Sequence, residues 1–105
     1  MSELSFLDMP NVVFTVSKEK CQLKSDGNDK IEFFVTNSIM VYAPENGIIE
    51  MVDNNKKVIK IKHAENIYSV ISGINICGVR EGDKVQQGKE IATAKEGATV
   101  VLTII

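Results

Sequence analysis

Val79-Arg-Glu-Gly-Asp-Lys-Val-Gln-Gln-Gly-Lys-Glu-Ile91 carries two glycine turns six residues apart. Glu81-Gly-Asp83 and Gln86-Gln-Gly88 leave only Lys84-Val85 between them as a short strand. Glycine takes positive φ without the steric cost of a Cβ, so such spacing folds the chain back on itself within a few residues. This pattern predicts a compact β unit. Upstream, Met40-Val-Tyr-Ala-Pro-Glu-Asn-Gly-Ile-Ile49 places a second kind of turn between two apolar runs, with Pro44 early and Gly47 available for a left-handed conformation.

Working outward, strand signals dominate. Asn11–Val16, Lys30–Val35 and Ser38–Ala43 are rich in β-branched and aromatic residues, and Gly47–Val52 follows. Within Lys56–Lys62, the end of the run alternates as Lys60-Ile61-Lys62, the mark of a half-buried strand with a charged outer face. Asn66–Ile71 and Ala98–Ile105 complete the set. Asp53-Asn-Asn-Lys56 reads as a hairpin turn, because Asn and Asp tolerate positive φ. Ser25–Asp29 reads as a polar loop, and no long window carries a helical period with a cap at its start. The expected fold is all-β, built from short antiparallel strands.

Length and composition bound the function. The 105 residues suit one domain, and 44% hydrophobic with 25% charged residues is ordinary for a globular protein. A net charge of −2 without a long run of one sign gives no electrostatic reason to expect nucleic acid as a partner. No segment approaches the ~18 apolar residues of a membrane span, and Met1–Asp8 has neither the basic start nor the apolar run of a signal peptide. Cys21 and Cys77 fit no zinc spacing, and nothing in their positions dictates a disulfide.

The two-turn unit from Val79 to Ile91 resembles an element shared by biotinyl/lipoyl carrier domains and lysostaphin/LytM-type zinc endopeptidases, which cut peptidoglycan cross-links. Three further segments favour the peptidases. Val41-Tyr-Ala-Pro-Glu-Asn-Gly-Ile-Ile49 is similar to that family's Val-Tyr-Ala strand and turn. Val58-Ile-Lys-Ile-Lys-His63 resembles its strand ending in Lys-His-Gly, and Asn66-Ile-Tyr-Ser-Val70 stands where it has a Tyr-x-Thr-x-Tyr strand. The resemblance covers residues 28–105 and implies a single-domain, barrel-sandwich-hybrid-like module. Residues 1–27 lie outside the resemblance and read as an N-terminal extension contributing the strand Asn11–Val16.

The resemblance also implies a ligand set that can be checked position by position. The family's His-x-x-x-Asp motif falls on Asn28 and Glu32. The histidine of its Tyr-x-His-Leu motif falls on Gly73, and its closing His-x-His motif on Val100 and Leu102. Catalytic zinc takes three protein ligands and leaves a position for water, yet His63 is the only histidine in the chain. It matches the family's non-ligand Lys-His-Gly position, so the expected role is local hydrogen bonding or a place on a partner surface. Glu32 is either a solvated strand carboxylate or a remnant cation ligand. The implied function is non-enzymatic, with no cofactor. Family members without zinc ligands serve as interaction domains, including activators of cell-wall amidases and components of envelope complexes. The implied partner is a protein or a peptidoglycan fragment, in the cell envelope or periplasm; the missing signal peptide keeps a cytoplasmic site open. The alternative is a carrier or phosphotransfer-type β domain, modified at Lys56 or Lys57 or phosphorylated at His63. The Asn55 and Val58 flanks lack the methionines of a biotinyl-lysine site.

Overall fold

The structure is a computed structural model and describes residues 21–26 and 30–105. Those residues form nine strands and no helix: β1 (Cys21–Asp26), β2 (Lys30–Val35), β3 (Ile39–Tyr42), β4 (Gly47–Asp53), β5 (Val58–Ala64), β6 (Ile67–Ser72), β7 (Lys84–Val85), β8 (Glu90–Ala94) and β9 (Thr99–Ile104). Seven strands make one sheet in the order β1-β2-β9-β6-β5-β4-β7, and β3 and β8 form a separate two-stranded ribbon. Every pairing is antiparallel.

The period of two along each strand sorts side chains into an inner and an outer face. Register aligns Ile31, Leu102, Ile71 and Ile59 across β2, β9, β6 and β5 on the inner face. Leu102, Ile71 and Ile59 are buried there against Val41, Ala92 and Ala94 of the ribbon. The ribbon therefore covers one face of the sheet. On the other face Glu32, Val101, Ser72, Val58 and Asp53 form a row in register across β2, β9, β6, β5 and β4, and all are half-buried.

The turns match the sequence reading in place but not always in mechanism. Gly82 and Gly88 take φ of +92° and +86°. Gly47 is not in the left-handed region; it is required by proximity, because a Cβ there would stand 2.6 Å from the Lys62 carbonyl oxygen. In the β4–β5 hairpin the Asp53 carboxylate accepts from the backbone N–H groups of Asn55 and Lys56, at 3.0 and 2.9 Å. The positive φ then falls on Lys57, at 59°, rather than on an asparagine.

Two strands escaped the sequence reading. β1 extends into the expected polar loop as far as Asp26, held by backbone pairing with β2. Its sequence, Cys-Gln-Leu-Lys-Ser-Asp, contains no β-branched residue and so carries no propensity signal. β8, Glu-Ile-Ala-Thr-Ala, is alanine-rich because Ala92 and Ala94 lie pressed into the core. The expected strand Asn11–Val16 lies outside the described residues.

Candidate functional site

The expected site positions converge on three neighbouring strands. Glu32 of β2 is opposite Val101 of β9, and Val101 is opposite Ser72 of β6. Gly73 follows Ser72 and packs its backbone onto the start of β9: a Cβ at position 73 would overlap the Thr99 carbonyl and lie 3.3 Å from the Val100 Cα. Asn28 lies outside the described residues.

Adjacency of backbones is not convergence of side chains. Val100 and Leu102 point into the core, 0% and 1% exposed. Glu32 points to the outer face, where it pairs with Lys30 at 3.3 Å. The β9 residues that share its face are Val101 and Thr103, one position beyond those that the motif register selects. Ser72, Val101 and Thr103 supply no imidazole or thiolate, and Glu32 supplies one carboxylate. Among the described residues no group of three or more His, Cys, Asp or Glu is placed to hold a metal ion. The described residues of this face do not make a zinc ligand set.

His63 belongs to another site. It lies at a β-bulge between the Lys62–Tyr68 and Ala64–Ile67 pairs, and the alternation of β5 puts its side chain on the inner face with Ile61. Nδ1 donates to the Asn46 carbonyl at 2.8 Å, since a carbonyl oxygen only accepts. That fixes the neutral tautomer and leaves Nε2 to accept from the Ser69 hydroxyl at 2.7 Å. Ser69 is 0% exposed on the inner face, so the imidazole satisfies a hydroxyl that has no water. Gly47 makes room for the ring, and a Cβ there would stand 3.0 Å from Nδ1. The sequence reading located His63 but missed Asn46 and Ser69, which no motif marks. Both ring nitrogens are engaged within the chain and offer a partner no free donor or acceptor.

Burial lowers the His63 pKa below its ordinary 6.5, outweighing the Asn46 hydrogen bond and the Glu45 charge, which both act to raise it. The folded state then takes up the proton less readily than the unfolded chain. Its contribution to stability is undiminished above pH 6.5 and is lost as the pH falls below that value. Urea denaturation between about pH 7 and 5 is expected to show stability falling, with the His63→Gln variant having a flatter profile over that window. Parallel profiles for the two proteins would remove His63 as the titrating group.

The remaining expected positions are peripheral. Lys56 and Lys57 are exposed in the β4–β5 turn. Cys77 is a free thiol donating to the Val79 carbonyl at 3.1 Å. Among the described residues no helix is long and apolar enough to cross a membrane.

Comparison with known proteins gives the ancestry. The model of Peptidase family M23 matches residues 27–101. Among solved structures, a zinc-containing peptidase from Vibrio cholerae is similar with a TM-score of 0.76 and 18% identity, over 88% of this chain and 35% of that one. A chain of the SpoIIQ–SpoIIIAH pore-forming complex is similar with a TM-score of 0.74 and 17% identity, over 90% of this chain and 82% of that one. Csd3 of Helicobacter pylori is similar with a TM-score of 0.74 and 12% identity, over 89% of this chain and 31% of that one. This chain thus spans about a third of the Vibrio cholerae and Helicobacter pylori chains. At these identities the likeness establishes the fold alone. No curated protein matches the sequence. The all-β sheet with its covering ribbon, the two-turn unit and a family model covering most of the chain lead to one assignment: the chain belongs to Peptidase family M23, the family of the lysostaphin/LytM-type peptidases.

Proposed function

We propose that this M23 domain is non-catalytic and acts as an interaction module, binding a protein partner in the bacterial envelope. The observation that carries this reading is the family match combined with a single histidine, His63, whose ring nitrogens are both bound within the chain. A catalytic zinc needs three protein ligands converging on an open position. The outer face of β2, β9 and β6 presents Glu32 beside Val101, Ser72 and Thr103, a set without nitrogen or sulfur donors. Similarity to a chain of the SpoIIQ–SpoIIIAH complex supports a binding role, since that protein is part of an assembly. An envelope location is the family's and is proposed here on that ground alone. A peptidoglycan fragment is the other ligand the family suggests.

The test is metal analysis of the purified protein with a peptidoglycan cleavage assay. The expected result is far less than one zinc per chain and no hydrolysis above buffer, with or without added zinc. Stoichiometric zinc accompanied by cleavage would overturn the reading.

A further inference from the structure

The register of the sheet assembles an apolar and cationic row that the sequence does not reveal. Ile48 of β4 is opposite Lys62 of β5, and Lys62 is opposite Tyr68 of β6. Tyr68 exchanges both backbone hydrogen bonds with Ile105, at 2.9 Å each. Lys84 of β7 is opposite Ile48 on the other side. All five side chains lie on the sheet's outer face, away from the ribbon. Ile48 and Ile105, 45% and 47% exposed, are two of the three large apolar residues that stand out from the described surface. Lys60, two residues before Lys62 on the same face, holds its ammonium 4.6 Å from the centre of the Tyr68 ring.

Among the described residues no ion pair neutralises the charge on this row. The side-chain ion pair among the described residues is Lys30–Glu32, three strands from Lys60, and Lys62 and Lys84 have no carboxylate in ion-pairing range. Of the acidic groups around it, Asp83 accepts from the Arg80 N–H at 2.9 Å and Glu45 from the Asn46 N–H at 2.8 Å, while Glu50 and Glu65 are exposed at its margins. A chain of net charge −2 thus sets Lys60, Lys62 and Lys84 in one row with its exposed Ile48 and Ile105. Strands about 4.8 Å apart put Ile48 and Ile105 about 14 Å from each other, the reach of four or five residues of extended peptide.

We infer that this row is a docking surface for an acidic, apolar-interleaved segment of a partner protein, with carboxylates meeting Lys60, Lys62 and Lys84 and apolar side chains meeting Ile48 and Tyr68. Charge complementarity selects the sign of the partner and the exposed isoleucines anchor it. The inference rests on the interaction-module reading and specifies its partner.

The test is a titration of the full chain, followed by amide NMR shifts, with two synthetic decapeptides: alternating Glu–Leu and alternating Lys–Leu. The Glu–Leu peptide is expected to move the amides of Ile48, Lys62 and Tyr68. Its affinity is expected to fall about tenfold or more in the Lys62→Glu/Lys84→Glu variant and to weaken as salt rises. The Lys–Leu peptide is expected to leave these amides unmoved. No response up to about 5 mM peptide, an equal response to both peptides, or shifts centred elsewhere would each overturn the inference. Co-sedimentation with vesicles of anionic lipid, lost in the charge-reversed variant, would assign the row to a membrane surface and overturn it too. A protein that fails here yet carries no zinc and cleaves nothing loses only this docking surface. One that cleaves peptidoglycan loses the interaction-module reading itself.

Discussion

Gly73→Ala is expected to lower stability by more than about 3 kcal/mol, a large share of the total for a domain of this size. Two costs combine. Gly73 has φ of +81°, a conformation that costs an L-residue about 1 kcal/mol or more. The new Cβ would also overlap the Thr99 carbonyl and crowd the Val100 Cα at 3.3 Å. Those atoms are backbone at the start of β9, which is paired on both sides by β2 and β6, so they cannot yield without disturbing the centre of the sheet. Gly88→Ala is the control, because its φ of +86° is accompanied by open space. It should cost only the conformational share, about 1 kcal/mol. Thermal and urea denaturation followed by circular dichroism measure both. Equal losses would remove the steric half of the argument. The result bears on function, since the M23 resemblance aligns Gly73 with a histidine and the backbone at this turn has no room for one.

Much of this architecture is legible in the sequence, and the exceptions have physical causes. β2, β4, β6 and β9 are announced by β-branched residues bounded by turn residues, and Gly82 and Gly88 take the turn conformations their spacing implies. β1 and β8 are not announced, because one is held by backbone pairing with β2 and the other needs small residues beneath the ribbon. The positions the resemblance selects lie on neighbouring strands but on opposite faces, Glu32 on the outer face and Val100 and Leu102 in the core. A one-residue shift in register along β9 exchanges a core position for a surface one. The His63 site was hidden for a different reason: Asn46 contributes a backbone carbonyl and Ser69 a hydroxyl, neither of which is distinctive in sequence. Whether a histidine is free or internally bonded is decided by which groups from other segments reach its ring, here from 17 residues before it and 6 after it.

The face assignment carries the second large effect. Leu102→His is expected to cost on the order of 4 kcal/mol, close to the whole stability of a small domain, while Val101→His costs about 1 kcal/mol or less. Leu102 is 1% exposed between Ile31 and Ile71 in register. Its replacement removes a buried leucine, worth about 2–5 kcal/mol in core truncations, and introduces an imidazole with no polar partner, a further ~1–3 kcal/mol. Val101 is half-buried on the outer face, opposite Glu32 and Ser72, where an imidazole keeps access to water. Urea denaturation of the two variants measures the difference directly. Comparable losses would mean that β9 does not present Val101 to the face carrying Glu32, and the geometric case against a converging ligand set would fail with it. The expected asymmetry means that a histidine placed by the motif register enters the core, whereas only positions 101 and 103 could join Glu32. In this chain those two positions hold a valine and a threonine, neither of which supplies an imidazole, thiolate or carboxylate.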